Sequence, residues 1–217
     1  MIPPIPTDPS RPYHDDAVNA IYALLFGDDP SLFKQGATID AGSPWVILTA
    51  EEPGYTDLLK IASDATQETR VRLLAYHLVR TDGFPVEEKE LLAVIVEVGL
   101  DEGLDVLAAY QDGTGRYINY TGKMIIWDAP DQTSMEITRQ LFNDSKIIVG
   151  KIGPWNGPRR PFPGKGIVRI SFLVSDGLYF GEGPINVLFS DPLAAPALSS
   201  ATALMQYLAN RAEKLQI

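Results

Sequence analysis

Residues 91–128, LLAVIVEVGLDEGLDVLAAYQDGTGRYINYTGKMIIWD, decide the fold. An apolar run from Leu91 to Val98 stops at Gly99–Gly103. A second, Leu104 to Tyr110, stops at Asp112-Gly113-Thr114-Gly115. A third, Arg116 to Thr121, is parted by Gly122 from Lys123–Asp128. Short runs rich in β-branched and aromatic residues, punctuated by glycine and Asp-Gly, are strands joined by hairpins. Glycine supplies the positive φ that tight turns need. The stretch therefore predicts an antiparallel meander at the centre of the fold, but no chemistry.

Helical patterns lie on the N-terminal side of the meander. Ala17, Val18, Ile21, Tyr22 and Leu25 share one face of a helix expected over Asp15–Phe26. Asp15 and Asp16 suit its positive end, and Gly27 its stop. Tyr55–Ala62 reads as a short helix, and Gln67–Val79 as a longer one with the stripe Val71, Leu74, Ala75 and Leu78. Trp45–Thr49, apolar and partly β-branched, reads as a strand. Beyond the meander, Pro130–Asn143 reads as a helix, with Thr133 and Glu136 at capping-box spacing. Ile147–Ile152 reads as a strand, residues 153–166 as a loop, and Ile167–Val174 and Leu178–Phe180 as two strands about Ser175-Asp176-Gly177. Ile185–Phe189 is one more short apolar run. Ser199–Leu215 carries a helical stripe of Ala201, Leu204, Met205, Leu208, Ala212 and Leu215.

Strands mostly follow strands through short turns, while helices precede the sheet, interrupt it once and close the chain. That order predicts an α+β fold with a mainly antiparallel sheet flanked by helices, the C-terminal amphipathic helix packed on the sheet. Residues 1–13 read as an extended proline-rich arm, and 14–217 as a single α+β domain.

The block GLDVLAAYQDGTGRYINYTG, residues 103–122, resembles a pattern shared by a group of bacterial hypothetical proteins, GLDVLAAY-x-DG-x-x-RYIN-x-x-G. Gly103–Tyr110, Asp112, Gly113, Arg116–Asn119 and Gly122 carry the match, which extends more loosely into VRISFLVSDGLYFGEGP, residues 168–184. The resemblance implies a bacterial source and transfers no activity.

The chain has 217 residues, no cysteine and a net charge of −10. Without cysteine, disulfide frameworks, thiolate metal sites and cysteine nucleophiles are excluded. Residues 1–113 hold 20 Asp+Glu against 7 Lys+Arg, a net of −13, and residues 114–217 hold 8 against 11, a net of +3. An acidic surface repels nucleic acid and anionic membranes, so neither is expected as a partner. No secretory leader pattern opens the chain, and no apolar run approaches the roughly 18 residues of a membrane span. The expected location is the bacterial cytoplasm.

Catalytic signatures are sparse. His14 and His77 are the two histidines, and both read as structural or capping residues. There is no GxSxG elbow and no HExxH. Gly164-Lys165-Gly166 fails the phosphate-loop pattern in its residues and in the β-like segment that follows. No metal or other cofactor is expected. Glu97 and Asp105, flanking the Gly99–Gly103 turn, form a candidate carboxylate pair across two strands, against the plainer reading that each faces solvent. The best local site is the loop Pro154–Lys165. It gathers Arg159, Arg160 and Lys165 with Trp155 and Phe162: guanidinium forks for carboxylate or phosphate, aromatic faces for stacking, prolines for stiffness. Its rival reading has the arginines pinning the loop to the acidic first half. Arg116 and Asn119, with Tyr117 and Tyr120, make a second polar-aromatic patch, explicable also by cross-strand pairing. The leading expectation is a non-catalytic binding or accessory protein for an unknown protein or small anionic ligand, with homo-oligomerisation open. The alternative is a metal- or carboxylate-dependent hydrolase with scattered acids.

Overall fold

The computed structural model describes residues 11–34 and 44–215; most of the proline-rich arm lies outside them. Strands β1 (Leu91–Leu100), β2 (Gly103–Tyr110), β3 (Gly115–Ile118) and β4 (Met124–Trp127) form the meander that the hairpin signals require. Leu100 pairs with Gly103 across an Asp101-Glu102 turn. In the next turn Gly113 has φ 85°, where a side chain is strained, and a Cβ there would lie 2.1 Å from Met135 Sδ. Strands β5 (Ile167–Val174) and β6 (Gly177–Pro184) join the other edge of β1, giving one antiparallel six-stranded sheet in the order β4-β3-β2-β1-β5-β6. The expected α+β class is therefore the observed one.

The sheet is the middle layer of three. On one face lie α1 (Asp16–Leu24), α2 (Pro30–Lys34), α3 (Pro44–Leu48), α4 (Tyr55–Ser63) and α5 (Thr69–Thr81). Their side of the core holds Tyr22, Leu58, Leu74, Ile95, Val106, Tyr110 and Ile118. On the other face α6 (Gln132–Val149) and α8 (Ala195–Leu215) pack Leu141, Phe142, Leu204 and Leu208 against Val94, Leu107, Ile170 and Phe172. The helix α7 (Ile185–Leu188) links β6 to α8. Period-two alternation sends residues to both faces, and both are covered, so β1 and β5 are apolar almost throughout. Tyr13, at the root of the arm, is buried and donates its hydroxyl to Leu104 O at 3.0 Å.

Two expected strands are helical instead. Residues 44–48 form α3: Pro44 suits a first helical turn, and Trp45 stacks on Phe33 with ring centroids 5.5 Å apart. Residues 147–149 belong to α6, because Leu141, Phe142, Ser145, Ile148 and Val149 continue a helical period on one buried face. The capping box of α6 also differs from the expected Thr133 and Glu136. Asp131 accepts from Ser134 N at 2.9 Å, and Ser134 Oγ accepts from Asp131 N at 3.0 Å. Tyr207 of α8 donates to the same Asp131 at 2.5 Å, so one carboxylate ties the helix start to its neighbour.

Candidate functional site

The loop 153–166 lies over the α1–α5 face of β1, β5 and β6. It can do so because Gly99 has no side chain: a Cβ there would sit 2.1 Å from Gly164 O, and Gly166 N donates to Gly99 O at 2.8 Å. Beneath the loop, pairing register makes a charged row. Glu97 of β1 stands beside Arg169 of β5, which stands beside Glu182 of β6. Arg169 donates Nε to Glu182 Oε2 at 2.7 Å and Nη2 to the same oxygen. Its Nη2 also donates to Pro161 O at 2.7 Å, and its Nη1 to Arg160 O at 3.3 Å. Arg169 therefore anchors both the acids and the loop backbone. Glu97 is fully buried; Oε1 accepts from Tyr22 Oη at 2.5 Å, while Oε2 has Arg169 Nη1 at 3.6 Å and no hydrogen bond. Burial pushes the Glu97 carboxyl up, although Tyr22 and Arg169 pull against it.

Glu97 and Asp105 do not form a carboxylate pair. Glu97 aligns with Val106 and Asp105 with Val98, so the two side chains leave opposite faces of the sheet. Adjacency across the turn suggested the pair, and register parity separates it.

At the end of the sheet, the loop faces the turn after α1, the last turns of α5 and the β5–β6 turn across a cleft of about 640 Å3. Phe26, Asp28, His77, Arg80, Trp155, Arg159 and Asp176 line it. The Arg159 guanidinium lies over Phe26, 4.0 Å from its ring centroid, and gives Nε to Asp28 Oδ2 at 3.0 Å. Arg80 gives Nη1 to Ser175 O at 2.6 Å. Asp176 accepts from Tyr179 Oη at 2.8 Å. The Oδ1 atoms of Asp28 and Asp176 are closed off in the wall without hydrogen-bond partners. The remaining guanidinium N–H groups of Arg80 and Arg159 make no other bond among the described residues. The polar chemistry left in the cleft is thus mostly donor chemistry. Burial, helped by Arg80, lowers the His77 pKa, with Asp28 and Asp29 opposing, so its imidazole is neutral at neutral pH. Trp155 is anchored by its N–H on Leu178 O at 2.7 Å and its indole on Pro158 O at 2.9 Å.

Two of the six sequence candidates, Arg159 and Trp155, meet in this cleft. Arg160 is next door: its guanidinium lies 5.2 Å from the Trp155 ring and 5.4 Å from Phe180, with Glu182 at 3.6 Å. Lys165 pairs with Asp101 at 2.6 Å in the open. Arg116 is buried, gives Nη1 to Gly115 O at 2.7 Å and pairs with Asp128 at 2.6 Å. Asn119 Oδ1 accepts from Thr121 N and Lys123 N, both at 3.0 Å, closing the β3–β4 turn. These last three do not join the cleft. Sequence reading missed Arg80, Asp28 and Asp176, which lie far apart in the chain and match no spacing. It also missed Arg169, which did leave a signal. Arg169 is the one charge in β5 and Glu97 the one charge in β1, and lone opposite charges in buried strands call for each other.

A second cleft of about 630 Å3 lies between α4, α6 and the start of β1. Its guanidinium is spent: Arg72 bonds Ala62 O, Gln111 Oε1 and Glu90 Oε2 at 2.8, 2.8 and 2.6 Å. Among the described residues no group of three or more His, Asp or Glu side chains is placed to hold a metal ion, and no helix is long and apolar enough to cross a membrane. Comparison with family models, with curated proteins and with solved structures found no match to the chain.

Proposed function

We propose that this is a non-catalytic binding or accessory protein of the bacterial cytoplasm, and that the Arg80–Trp155–Arg159 cleft holds its ligand, a small carboxylate- or phosphate-bearing anion. The observation that carries the reading is the convergence of unspent guanidinium N–H groups from α5 and the loop beside one indole. Guanidinium forks match carboxylate and phosphate oxygens, and the indole offers a stacking face. The neutral His77 adds a further hydrogen-bonding group without a charge to repel a cationic neighbour. Prolines at 154, 158, 161 and 163, with the Arg169 bonds, hold the loop in place before a ligand arrives, which lowers the entropy cost of binding. The bacterial cytoplasm rests on the sequence resemblance and the cysteine-free composition.

Phenyl phosphate and inorganic phosphate are suitable probes, read by tryptophan fluorescence and calorimetry. Phenyl phosphate is expected to saturate a single site and to bind more tightly than inorganic phosphate. Arg159→Met keeps an unbranched side chain of similar reach but removes the fork. It should weaken phenyl phosphate at least about tenfold, or about 1.4 kcal/mol, as should Arg80→Met. Affinity unchanged from the wild type in both variants, or no saturable response in the wild type, would refute the site.

A further inference from the structure

The opposite face of the sheet carries a recess of reversed polarity. Register sends Val98, Asp105, Leu107 and Tyr117 to the side covered by α6 and α8. Beside the first half of α8 these residues, with Phe189 and Met205, line a cleft of about 190 Å3. Its walls are aliphatic and aromatic, and Asp105 is the one charged residue among those lining it. Asp105 Oδ2 accepts from Tyr117 Oη at 2.9 Å, and Oδ1 accepts from Tyr120 N at 2.7 Å. Both donors are neutral. No lysine or arginine of the described residues pairs with this carboxylate, although ten other ion pairs are formed elsewhere.

A half-buried carboxylate without a counter-ion, at one end of an apolar trough, leaves its attraction for a cation unused. The rings of Tyr117 and Phe189 line the same space, and aromatic faces attract ammonium groups. Apolar cavities of about 150 Å3 hold a benzene ring, so this cleft takes a body of about six carbons.

We propose that this cleft binds an organic ammonium ion, a primary amine on an alkyl or arylalkyl body. The ammonium group sits against Asp105, and the body lies over Val98, Leu107 and Met205 between Tyr117 and Phe189. The site is separate from the anion cleft, on the other side of the sheet.

Amide NMR spectra of the full chain, titrated with hexylammonium, hexanol or hexanoate, test it. Hexylammonium should shift Val98, Asp105, Tyr117 and Ala201 saturably, with hexanol at least about tenfold weaker and hexanoate silent. Asp105→Asn keeps an acceptor for Tyr120 and should weaken hexylammonium about tenfold, bringing it level with hexanol. Met205→Trp fills the cleft while leaving the carboxylate in place, and should abolish both. It also decides the matter should Asp105→Asn fail to fold. Hexanol binding as tightly as hexylammonium, or hexylammonium binding unchanged in Met205→Trp, would overturn the proposal.

Discussion

Glu97 is the residue on which folding and charge conflict most. It is fully buried, hydrogen-bonded through one oxygen, and held near Arg169 without a direct bond through the other. Its folded pKa lies above its unfolded value because burial disfavours the anion. Its contribution to stability is therefore present below the unfolded value, about 4.3, and is lost as pH rises through the folded value. Glu97→Gln keeps the acceptor for Tyr22 and has nothing to titrate. Denaturation midpoints taken from about pH 4 to about pH 8 should move in favour of the variant as pH rises. A constant difference between variant and wild type across that range would show that the Glu97 carboxyl is not perturbed. Arg169, by contrast, is shared by two acids and two loop carbonyls, and so fixes the loop rather than any one partner.

Among the elements, α5 shows how a hairpin turn starts a helix. Its own N-cap residue, Glu68, gives no side-chain cap. The cap comes from Asp112 in the β2–β3 turn, whose Oδ2 accepts from Thr69 N at 2.8 Å, while Oδ1 accepts from Thr114 N at 3.0 Å. Burial works against this carboxylate, but the bonds from Thr114 and Thr69 outweigh it and hold its pKa below the usual value. Its contribution is complete above the unfolded value, about 3.9, and disappears as pH falls through the folded one. Asp112→Asn removes the charge that these bonds stabilise and should lower stability at neutral pH. That deficit should shrink below about pH 4, as read by urea denaturation at several pH values. A deficit that persists unchanged in acid would mean the turn needs the shape of aspartate and not its charge. The same helix carries His77 and Arg80, so it runs from this turn to the cleft at its other end.

On the scale of the whole molecule, one sheet serves two cores. Leu74 of α5 lies in one and Leu208 of α8 in the other, both without solvent exposure. Truncating a buried leucine costs roughly 2–5 kcal/mol, and sites without shared partners add. Leu74→Ala and Leu208→Ala should each lower the midpoint of a single unfolding transition, and the double variant should lose close to the sum. Separate transitions in calorimetry would show instead that one layer melts without the other. The same three-layer build places the two candidate ligand sites on opposite sides of the sheet, each where a helix layer stops short of covering it.

Local chemistry alone determined the class of this protein. Alternating apolar runs, Asp-Gly turns and the stripe of the last helix are short-range patterns, and the meander, the hairpin at Gly113 and α8 follow from them. Residues 44–48 and 147–149 misled because a few apolar residues in a row suit strand and helix alike. Neighbouring elements decide between them: Phe33 for Trp45, and the continued buried face of α6 for Ile148 and Val149. The proximity of Arg159 and Trp155 was legible because they share one short, proline-rich loop. Arg80 and Asp28 were not, since they reach the cleft only once α1, α5 and the loop converge. The separation of Glu97 from Asp105, and the pairing of Glu97 with Arg169, depend on strand register and strand order. Both are long-range properties, set when the two faces of the sheet are buried together, and only the tertiary structure decides them.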